Sequence, residues 1–246
     1  KMRLRHSLPG GKGGGEGVKM IHTSIEVILF DLGNVILPFN HYQIAEKLSR
    51  FTKNADFQDP EMIFSYLFNF ENGAINGYEV GKVSSLDFFQ SLKEHLQLTL
   101  SFEEFIPIWN DIFWENLEVS EIIRSLKGKK RLGLLSNTNP LHFDYILLKF
   151  PDVQIFDKWI LSHEVGFKKP ALEIFQSGVE WACVEPEKIL FIDDMKSHVE
   201  AAISLGMHGI HFTSATQLRE ELSVGLNNKR KVGYFLFHIL KNFGME

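Results

Sequence analysis

Two apolar runs in this sequence end in aspartate, and they constrain the fold more than any other feature. Residues 26–30 lead into Asp31, and residues 188–192 lead into the pair Asp193 and Asp194. Burying a carboxylate is unfavourable unless a cation or strong hydrogen-bond donors compensate for the lost water. Carboxylates at the ends of buried strands therefore predict an oxygen-ligand metal site at the carboxyl edge of a parallel sheet.

Strand-like and helix-like patterns alternate over much of the chain. Runs typical of strands occupy 26–31, 131–136, 158–162, 188–193 and 209–212, and apolar spacings of three and four predict helices over about 118–127, 140–149, 170–183 and 197–205. Pro170 fits the first turn of its helix, and Gly206 fits the end of another. The alternation predicts an α/β fold of the Rossmann-like type, a parallel sheet with helices on both faces.

Residues 41–115 interrupt this alternation with helical patterns and little that resembles a strand. We interpret 41–115 as a small helical cap inserted after the first strand, and 20–40 with 116–224 as the catalytic core. The alternative is that these helices belong to the main core. Six aromatic residues in or near the cap either line a substrate pocket or pack in the interior of the cap: Phe39, Tyr66, Phe70, Trp109, Phe113 and Trp114.

The two ends of the chain differ from the rest. Residues 1–19 contain six glycines between positions 10 and 17 and are expected to form a flexible tail, with Met20 as a candidate natural start. A phosphate-binding loop is the alternative, but no strand precedes the glycines and no Gly-Lys-Ser/Thr follows them. Residues 225–246 are expected to be a C-terminal tail that docks on the body or on a partner chain, the alternative being a membrane-surface segment.

Composition narrows the class of protein. A net charge of −5 gives no reason to expect nucleic acid or an anionic membrane as a partner. The single Cys183 excludes an intrachain disulfide and a thiolate metal cluster, which favours a cytoplasmic location. No apolar run reaches the roughly 18 residues of a membrane-spanning helix.

Four segments at predicted strand ends or loops carry candidate chemistry. Asp31 supplies a nucleophilic carboxylate, Ser136 a hydroxyl and Lys169 a cation, while Asp193 and Asp194 supply further carboxylates. Such a set is suited to phosphoryl transfer through an aspartyl-phosphate, with magnesium and the lysine neutralising the phosphoryl oxygens. Asp31, Asp193 and Asp194 as helix caps, and Ser136 as a turn residue, are the structural alternatives.

These segments, in this order and with a helical insertion after the first, resemble the haloacid dehalogenase superfamily of hydrolases over about residues 24–224. Residues 31–35, 136–139 and 191–194 are similar to the sugar-phosphate phosphatase branch that includes the phosphatase domain of soluble epoxide hydrolase. The stretch 78–84 resembles a recurrent cap segment of that branch. The fold, the magnesium and the phosphatase activity of that superfamily are therefore expected here.

The resemblance also implies a role for each residue. Asp31 is expected to be the nucleophile, Ser136 and Asn137 to bind the phosphate, and Lys169 to pair with both the nucleophile and the phosphoryl oxygens. The expected magnesium ligands are Asp31, the backbone carbonyl of Gly33, Asp194, and Asp193 either directly or through water.

Some positions depart from the pattern or stay open. Gly33 occupies the position where most phosphatases of this superfamily carry an aspartate that protonates the leaving group. His198 stands where asparagine or aspartate is expected to steady the lysine, which a histidine does only through a nitrogen that accepts. His142 is a further candidate site residue, either polar and facing the cap or an ordinary helix residue. Lys168 is expected to be solvated.

The function expected from the sequence is magnesium-dependent hydrolysis of a small phosphomonoester, with a sugar phosphate as one substrate class. A haloacid dehalogenase-type hydrolase is the alternative among enzymes, and the paired Asp193 and Asp194 count against it because it needs no metal. A phosphomutase is disfavoured by the missing acid at Gly33. A non-catalytic phosphate-binding or scaffold module is the alternative outside enzymes.

Overall fold

The computed structural model describes residues 25–226, which form a five-stranded parallel sheet covered by helices. The strands are β1 (Val27–Phe30), β2 (Arg131–Ser136), β3 (Lys158–Leu161), β4 (Ile189–Asp193) and β5 (His208–His211), in the spatial order β3-β2-β1-β4-β5. All four neighbouring pairs run parallel. The α/β fold class predicted from the alternation is confirmed.

The helices fall into two groups along the chain. Between β1 and β2 lie α1 (Tyr42–Leu48), α2 (Pro60–Phe68), α3 (Asn76–Glu79), α4 (Ser85–Leu96), α5 (Phe102–Asn110) and α6 (Leu117–Leu126). After β2 come α7 (Pro140–Lys149), α8 (Ser162–Val165), α9 (Leu172–Ala182), α10 (Lys196–Ser204) and α11 (Ala215–Leu226). Short 3-10 helices occupy Ala55–Phe57, Pro151–Ile155 and Pro186–Lys188. None of the helices within 25–226 combines the length and apolar character that a membrane span requires.

The central strand is apolar on both faces because helices cover both sides of the sheet. Ile28 and Phe30 of β1 belong to one buried cluster, and Val27 and Leu29 belong to another. Alternate side chains of a strand point to opposite faces, so this division places one hydrophobic layer above the sheet and one below. A strand buried on both faces explains why the sequence shows a continuous apolar run there.

The helix boundaries agree with the predicted periodicity except near Pro170. Gly206 follows the end of α10 with a φ of 90°, as predicted for a residue that ends a helix. Pro170 does not lie in the first turn of its helix, because α9 begins at Leu172. The amide of Ala171 donates instead to the carbonyl oxygen of Lys168, which makes residues 168–171 a turn before the helix.

Residues 41–115, here called the cap segment, pack around a hydrophobic cluster of their own. Tyr78, Phe105 and Trp109 are fully buried in it. Of the six aromatic residues considered above, Trp109 lies in this cluster, Phe39, Tyr66 and Phe113 pack against it, and Phe70 and Trp114 are exposed. The division of the chain into a core and a cap stays a prediction. The tail expected over 1–19 lies outside the described residues, as does the tail expected over 225–246 beyond the end of α11.

Candidate active site

The sheet brings three predicted site residues to one edge. β1 lies between β2 and β4, and Phe30 pairs with Leu134 on one side and Ile192 on the other. Asp31 follows β1 directly, while Ser136 and Asp193 are the last residues of their strands. Since parallel strands all end at the same edge, these side chains emerge together at the carboxyl edge of the sheet.

Lys169 lies between two of the carboxylates. Its Nζ is 2.7 Å from Oδ1 of Asp31 and 2.7 Å from Oδ2 of Asp193. The side chain of Lys169 is 1% exposed, and that of Asp193 is fully buried. Buried charges are stable only when paired, so this three-residue ion cluster fixes the position of the ammonium relative to both strands.

Asp193 is hydrogen-bonded through both carboxylate oxygens. Oδ1 accepts from the backbone N–H of Met195 at 2.7 Å and from Nδ1 of His198 at 3.0 Å, and Oδ2 accepts from Lys169. His198 does not contact the lysine directly. Its Nδ1 faces Asp193, so His198 donates to the carboxylate that in turn holds Lys169.

Asp194 is held by two residues that sequence reasoning missed. Asn34 donates from Nδ2 to Oδ2 of Asp194 at 3.2 Å, and His211 donates from Nε2 to the backbone oxygen of Asp194 at 2.9 Å. Asn34 has a φ of 54°, a left-handed conformation that asparagine adopts more readily than most residues. An asparagine three residues after the nucleophile is the one sequence signal that could have indicated this contact.

The surroundings shift the pKa values of Asp31 and Asp193 in opposite directions. Burial raises the pKa of Asp31 to about 7, the attraction of Lys169 opposing this and the repulsion of Asp193 adding to it. Burial acts in the same direction on Asp193, but Lys169 and the His198 hydrogen bond outweigh it and hold the pKa of Asp193 below its usual value. Burial and Asp193 raise the pKa of Asp194. Burial lowers the pKa of Lys169, yet Asp31 and Asp193 outweigh it and raise that pKa above normal.

The carboxylates fit a hard divalent cation. One oxygen each from Asp31, Asp193 and Asp194 lie within 4.8 Å of one another. Three carboxylates and the single ammonium of Lys169 leave an excess of two negative charges when all are ionised, which a divalent cation would balance. Oδ2 of Asp31 accepts no hydrogen bond from the described residues, whereas both oxygens of Asp193 are engaged. Asp31 and Asp194 are therefore freer to coordinate directly than Asp193.

The backbone oxygen of Gly33 accepts from the N–H of Val35 at 2.7 Å. A carbonyl oxygen has two lone pairs, so one remains for a cation.

Hydrogen bonds hold the loop after β2 in place. Ser162, a residue that sequence reasoning missed, accepts from the N–H of Thr138 and donates to its carbonyl oxygen, both at 3.0 Å. Ser136 is buried, and its hydroxyl donates to the carbonyl oxygen of Asn137 at 3.3 Å.

Asn137 is placed differently from the expected phosphate contact. Its Oδ1 accepts from the N–H of Lys169 at 2.7 Å, and its Nδ2 donates to the carbonyl oxygen of Lys169 at 3.0 Å. The side chain therefore anchors the backbone of the lysine. The backbone N–H of Asn137 makes no hydrogen bond to the described residues, which leaves it as the group of this residue that can meet a phosphate oxygen.

An aromatic ring occupies the space next to Gly33. A Cβ placed on Gly33 would lie 2.7 Å from Cε1 of Phe39, closer than such contacts occur. The ring of Phe39 packs in turn against His41 and Phe113, with centroid distances of 4.5 and 5.9 Å. The position of the missing acid is thus covered by an apolar side chain from the residues that lead into the cap segment.

His142 faces the cap and is fully engaged there. It is 3% exposed, and its ring stacks on Trp109 at 5.1 Å. Its Nε2 is 3.0 Å from the carbonyl oxygen of Trp109, and its Nδ1 is 3.0 Å from Nδ2 of Asn139. A carbonyl only accepts and an amide nitrogen only donates, so the ring is neutral with its hydrogen on Nε2. Burial lowers the pKa of His142 to about 3. His142 thus contacts the cap segment, but this histidine has no proton available for a leaving group.

Lys168 is not solvated as expected. Its Nζ donates to Oδ1 of Asn76 at 2.7 Å and to Oε2 of Glu79 at 2.9 Å, and both residues belong to the cap segment. Glu79 lies in the stretch 78–84, which resembles a recurrent cap segment. The sequence therefore indicated this stretch but not that Lys168 binds it.

Comparison with known proteins places this fold in a family. A model of the haloacid dehalogenase-like hydrolases matches residues 25–206, and the chain belongs to that family. The resemblance inferred from the motifs is confirmed.

Several relatives and solved structures are similar to the chain. D-ribitol-5-phosphate phosphatase of Bacteroides thetaiotaomicron is 29% identical over 211 residues, covering 83% of this chain and 100% of that protein. The phosphorylated carbohydrates phosphatase of Thermotoga maritima is 31% identical over 110 residues, covering 44% of this chain and 51% of that protein. The crystal structure of a HAD family enzyme of B. thetaiotaomicron in complex with magnesium and inorganic phosphate has a TM-score of 0.68 and 26% identity, covering 77% of this chain and 94% of that one.

Proposed function

We propose that this protein is a magnesium-dependent phosphatase that hydrolyses a small phosphomonoester of a sugar or a polyol through an aspartyl-phosphate. The ion cluster of Asp31, Lys169 and Asp193 carries the proposal, because it fixes the candidate nucleophile beside a buried cation and a second carboxylate at one sheet edge. The similarity to phosphatases of D-ribitol 5-phosphate and of phosphorylated carbohydrates supports the substrate class. A cytoplasmic location is part of the proposal and is supported by the single Cys183.

The first chemical step belongs to Asp31. One of its carboxylate oxygens attacks the phosphorus atom while the bond to the alcohol oxygen breaks, and the other would stay available to magnesium. Oδ1 stays fixed by the N–H of Leu32 at 2.7 Å and by Lys169. A water molecule then attacks the aspartyl-phosphate, which releases inorganic phosphate and restores the carboxylate.

The remaining groups hold the phosphoryl oxygens. Lys169 supplies positive charge, and the hydroxyl of Ser136 and the backbone N–H of Asn137 supply hydrogen-bond donors at the adjacent strand end. Asp31, Asp194 and the carbonyl oxygen of Gly33 would hold magnesium. When bound there, magnesium neutralises phosphoryl charge and lowers the repulsion between the anionic nucleophile and the anionic substrate.

Gly33 has no side chain that could act as an acid, so the rate of hydrolysis should depend on the leaving group. General acid catalysis contributes about a hundredfold to ten-thousandfold in rate. Without it, phosphates of acidic alcohols should react faster than those of ordinary alkyl alcohols, and a sugar 1-phosphate faster than the 6-phosphate of the same sugar.

The purified protein should hydrolyse p-nitrophenyl phosphate, acetyl phosphate and at least one phosphorylated sugar or polyol when magnesium is present. Chelation with EDTA should remove the activity. The matched control is Asp31→Asn, which keeps the size of the side chain but loses the attacking charge, so turnover should fall to about one per cent or less with the fold intact. Chloride release from 2-chloropropionate without metal, or no turnover of any phosphate in the panel, would overturn the proposal.

A further inference from the structure

The cap segment is tied to the sheet core by the side chain of Lys168. Its ammonium bridges Asn76 and Glu79, the first and last residues of α3. The side chains of Lys168 and Glu79 are only 24% and 16% exposed, so water and salt screen this ion pair less than an ordinary surface pair. Among the described residues, Lys168 makes the only hydrogen bond to the Glu79 carboxylate.

Two backbone contacts flank this ion pair. Gly81 has a φ of 68° and lies so close to the core that a Cβ there would collide with the carbonyl oxygen of His163. Glycine is required at such a close approach. The hydroxyl of the buried Tyr78 accepts from the N–H of Leu141 at 3.3 Å. The segment around α3 is therefore seated on the core at three neighbouring points.

The residue that contacts the cap segment, Lys168, is followed directly in the chain by Lys169, which contacts the candidate nucleophile. Lys168 reaches out to Glu79, and Lys169 reaches inward to Asp31 and Asp193. Asn137 fixes the backbone at this point, because its side chain is hydrogen-bonded to both the N–H and the carbonyl oxygen of Lys169. Movement of α3 away from the core would pull on Lys168 and strain the same short segment that places the Lys169 ammonium.

We propose that Lys168 is a positioning residue that couples the seating of the cap to the placement of Lys169. The kinetic form of this proposal rests on the proposed phosphatase function. A substrate whose alcohol part extends from the phosphate toward the cap should depend on the Lys168–Glu79 pair. Acetyl phosphate, which carries almost nothing beyond the phosphate, reports the placement of the Lys169 ammonium without a contribution from the cap segment.

The experiment compares Lys168→Met and Glu79→Gln, alone and combined, with Lys188→Met. Lys188 pairs with Glu26 at 2.7 Å with side chains 42% and 51% exposed, so it controls for the loss of one lysine charge and one ion pair. For D-ribitol 5-phosphate, or the best sugar phosphate of the panel, kcat/KM should fall about three- to tenfold in Lys168→Met. For acetyl phosphate it should fall less, by about two- to threefold, because that substrate uses the same Lys169 ammonium but makes no contact with the cap segment. The double variant should be no worse than either single one, Lys168→Arg should recover part of the loss, and Lys188→Met should match the wild type.

Amide hydrogen exchange tests the coupling without any turnover. The N–H of Lys169 is bonded to Asn137, and that of Gly81 to the carbonyl oxygen of Tyr78. Both should exchange faster in Lys168→Met and stay at the wild-type rate in Lys188→Met. Faster exchange in a protein that hydrolyses no phosphate would support the coupling and overturn the proposed function. Unchanged exchange at Lys169, or a loss of kcat/KM confined to the sugar phosphate, would overturn the coupling.

Discussion

At the scale of single residues, Asp31 and Asp193 share one ammonium but differ in their remaining contacts. Asp193 receives hydrogen bonds on both oxygens, from Met195, His198 and Lys169, whereas Oδ2 of Asp31 accepts none from residues 25–226. Donors that bond to the charged form of a carboxylate favour ionisation, which explains why the proton is retained more readily on Asp31. The carboxylate with a free oxygen is the one suited to attack, and the saturated one is suited to hold its neighbours.

Gly33→Asp alone should not restore an acid. The backbone of Gly33 does not have a positive φ and accepts a side chain, but the ring of Phe39 fills the space. We expect the single variant to be less stable and no better with alkyl phosphates. With Phe39→Ala in addition, the carboxyl group has room, and the ratio of alkyl to aryl phosphate turnover should rise about tenfold or more. Steady-state kinetics on phenyl and alkyl phosphates measures this ratio.

The matched control is Gly33→Asn with Phe39→Ala, which has the same shape and no acidic proton. An equal rise in that variant would mean that added space, and not proton transfer, changed the selectivity.

The sequence predicted proximity best for the candidate residues whose position the sheet fixes. Asp31, Ser136 and Asp193 each end or follow a strand, and parallel strand order converts that position into proximity. The role of Lys168 was missed because Glu79, its partner, lies 89 positions earlier in the chain. The position of the Phe39 ring over Gly33 was not predictable either, since it depends on tertiary packing against His41 and Phe113 and not on any local sequence pattern.

At the scale of elements, the start of α7 joins the loop that follows β2 to the cap segment. Asn139 is the N-cap of this helix, and its Oδ1 accepts from the N–H of His142 at 3.1 Å and from Nε1 of Trp109 at 3.3 Å. Its Nδ2 meets Nδ1 of His142. One buried side chain thus satisfies a helix terminus, a histidine and an indole.

Asn139→Ala should therefore destabilise the protein more than the loss of an ordinary cap. Loss of an N-cap typically costs about 1 kcal/mol, and each buried polar group left without a partner costs roughly 1–3 kcal/mol more. We expect about 2–4 kcal/mol in total, measured by denaturant unfolding. Asp59→Ala at the N-cap of α2 is the control, since Asp59 caps only the exposed N–H of Glu61. Equal losses in the two variants would contradict the structural role of Asn139.

The approximate bounds of the helices were predictable because the spacing of apolar residues follows the face that is buried. The start of α9 was not predictable, because tertiary contacts of residues 168–171 prevent the helix from beginning at Pro170. Asn137 holds the backbone of Lys169 in place, and the turn that delivers Lys169 to the carboxylates uses the residues that would otherwise form the first helical turn.

At the scale of the whole molecule, the buried His142 makes stability depend on pH. Its pKa is about 3 in the folded protein and near 6.5 in an unfolded chain, so the unfolded state binds one more proton between these values. The contribution of His142 to stability is therefore present above pH 6.5 and is lost as the pH falls toward 3. The expected slope is about 1.4 kcal/mol per pH unit within that window.

His142→Gln should remove this slope, since an amide does not titrate and its nitrogen can still donate to the carbonyl oxygen of Trp109. The difference in unfolding free energy between the wild type and the variant, measured from pH 7 to pH 4, isolates His142 from other titrating groups, including Asp31, whose raised pKa acts in the opposite direction. A difference that stays constant with pH would show that the histidine is protonated or exposed in the folded protein.

The position of Trp109 gives the protein a built-in optical reporter. Its indole is fully buried in the cap cluster, stacks on His142 and donates to Asn139 of the loop that follows β2. Separation of the cap from the core would expose the indole to water and remove its imidazole neighbour together. The emission of this one tryptophan, isolated by comparison with Trp109→Phe, therefore follows cap motion in solution without any attached dye.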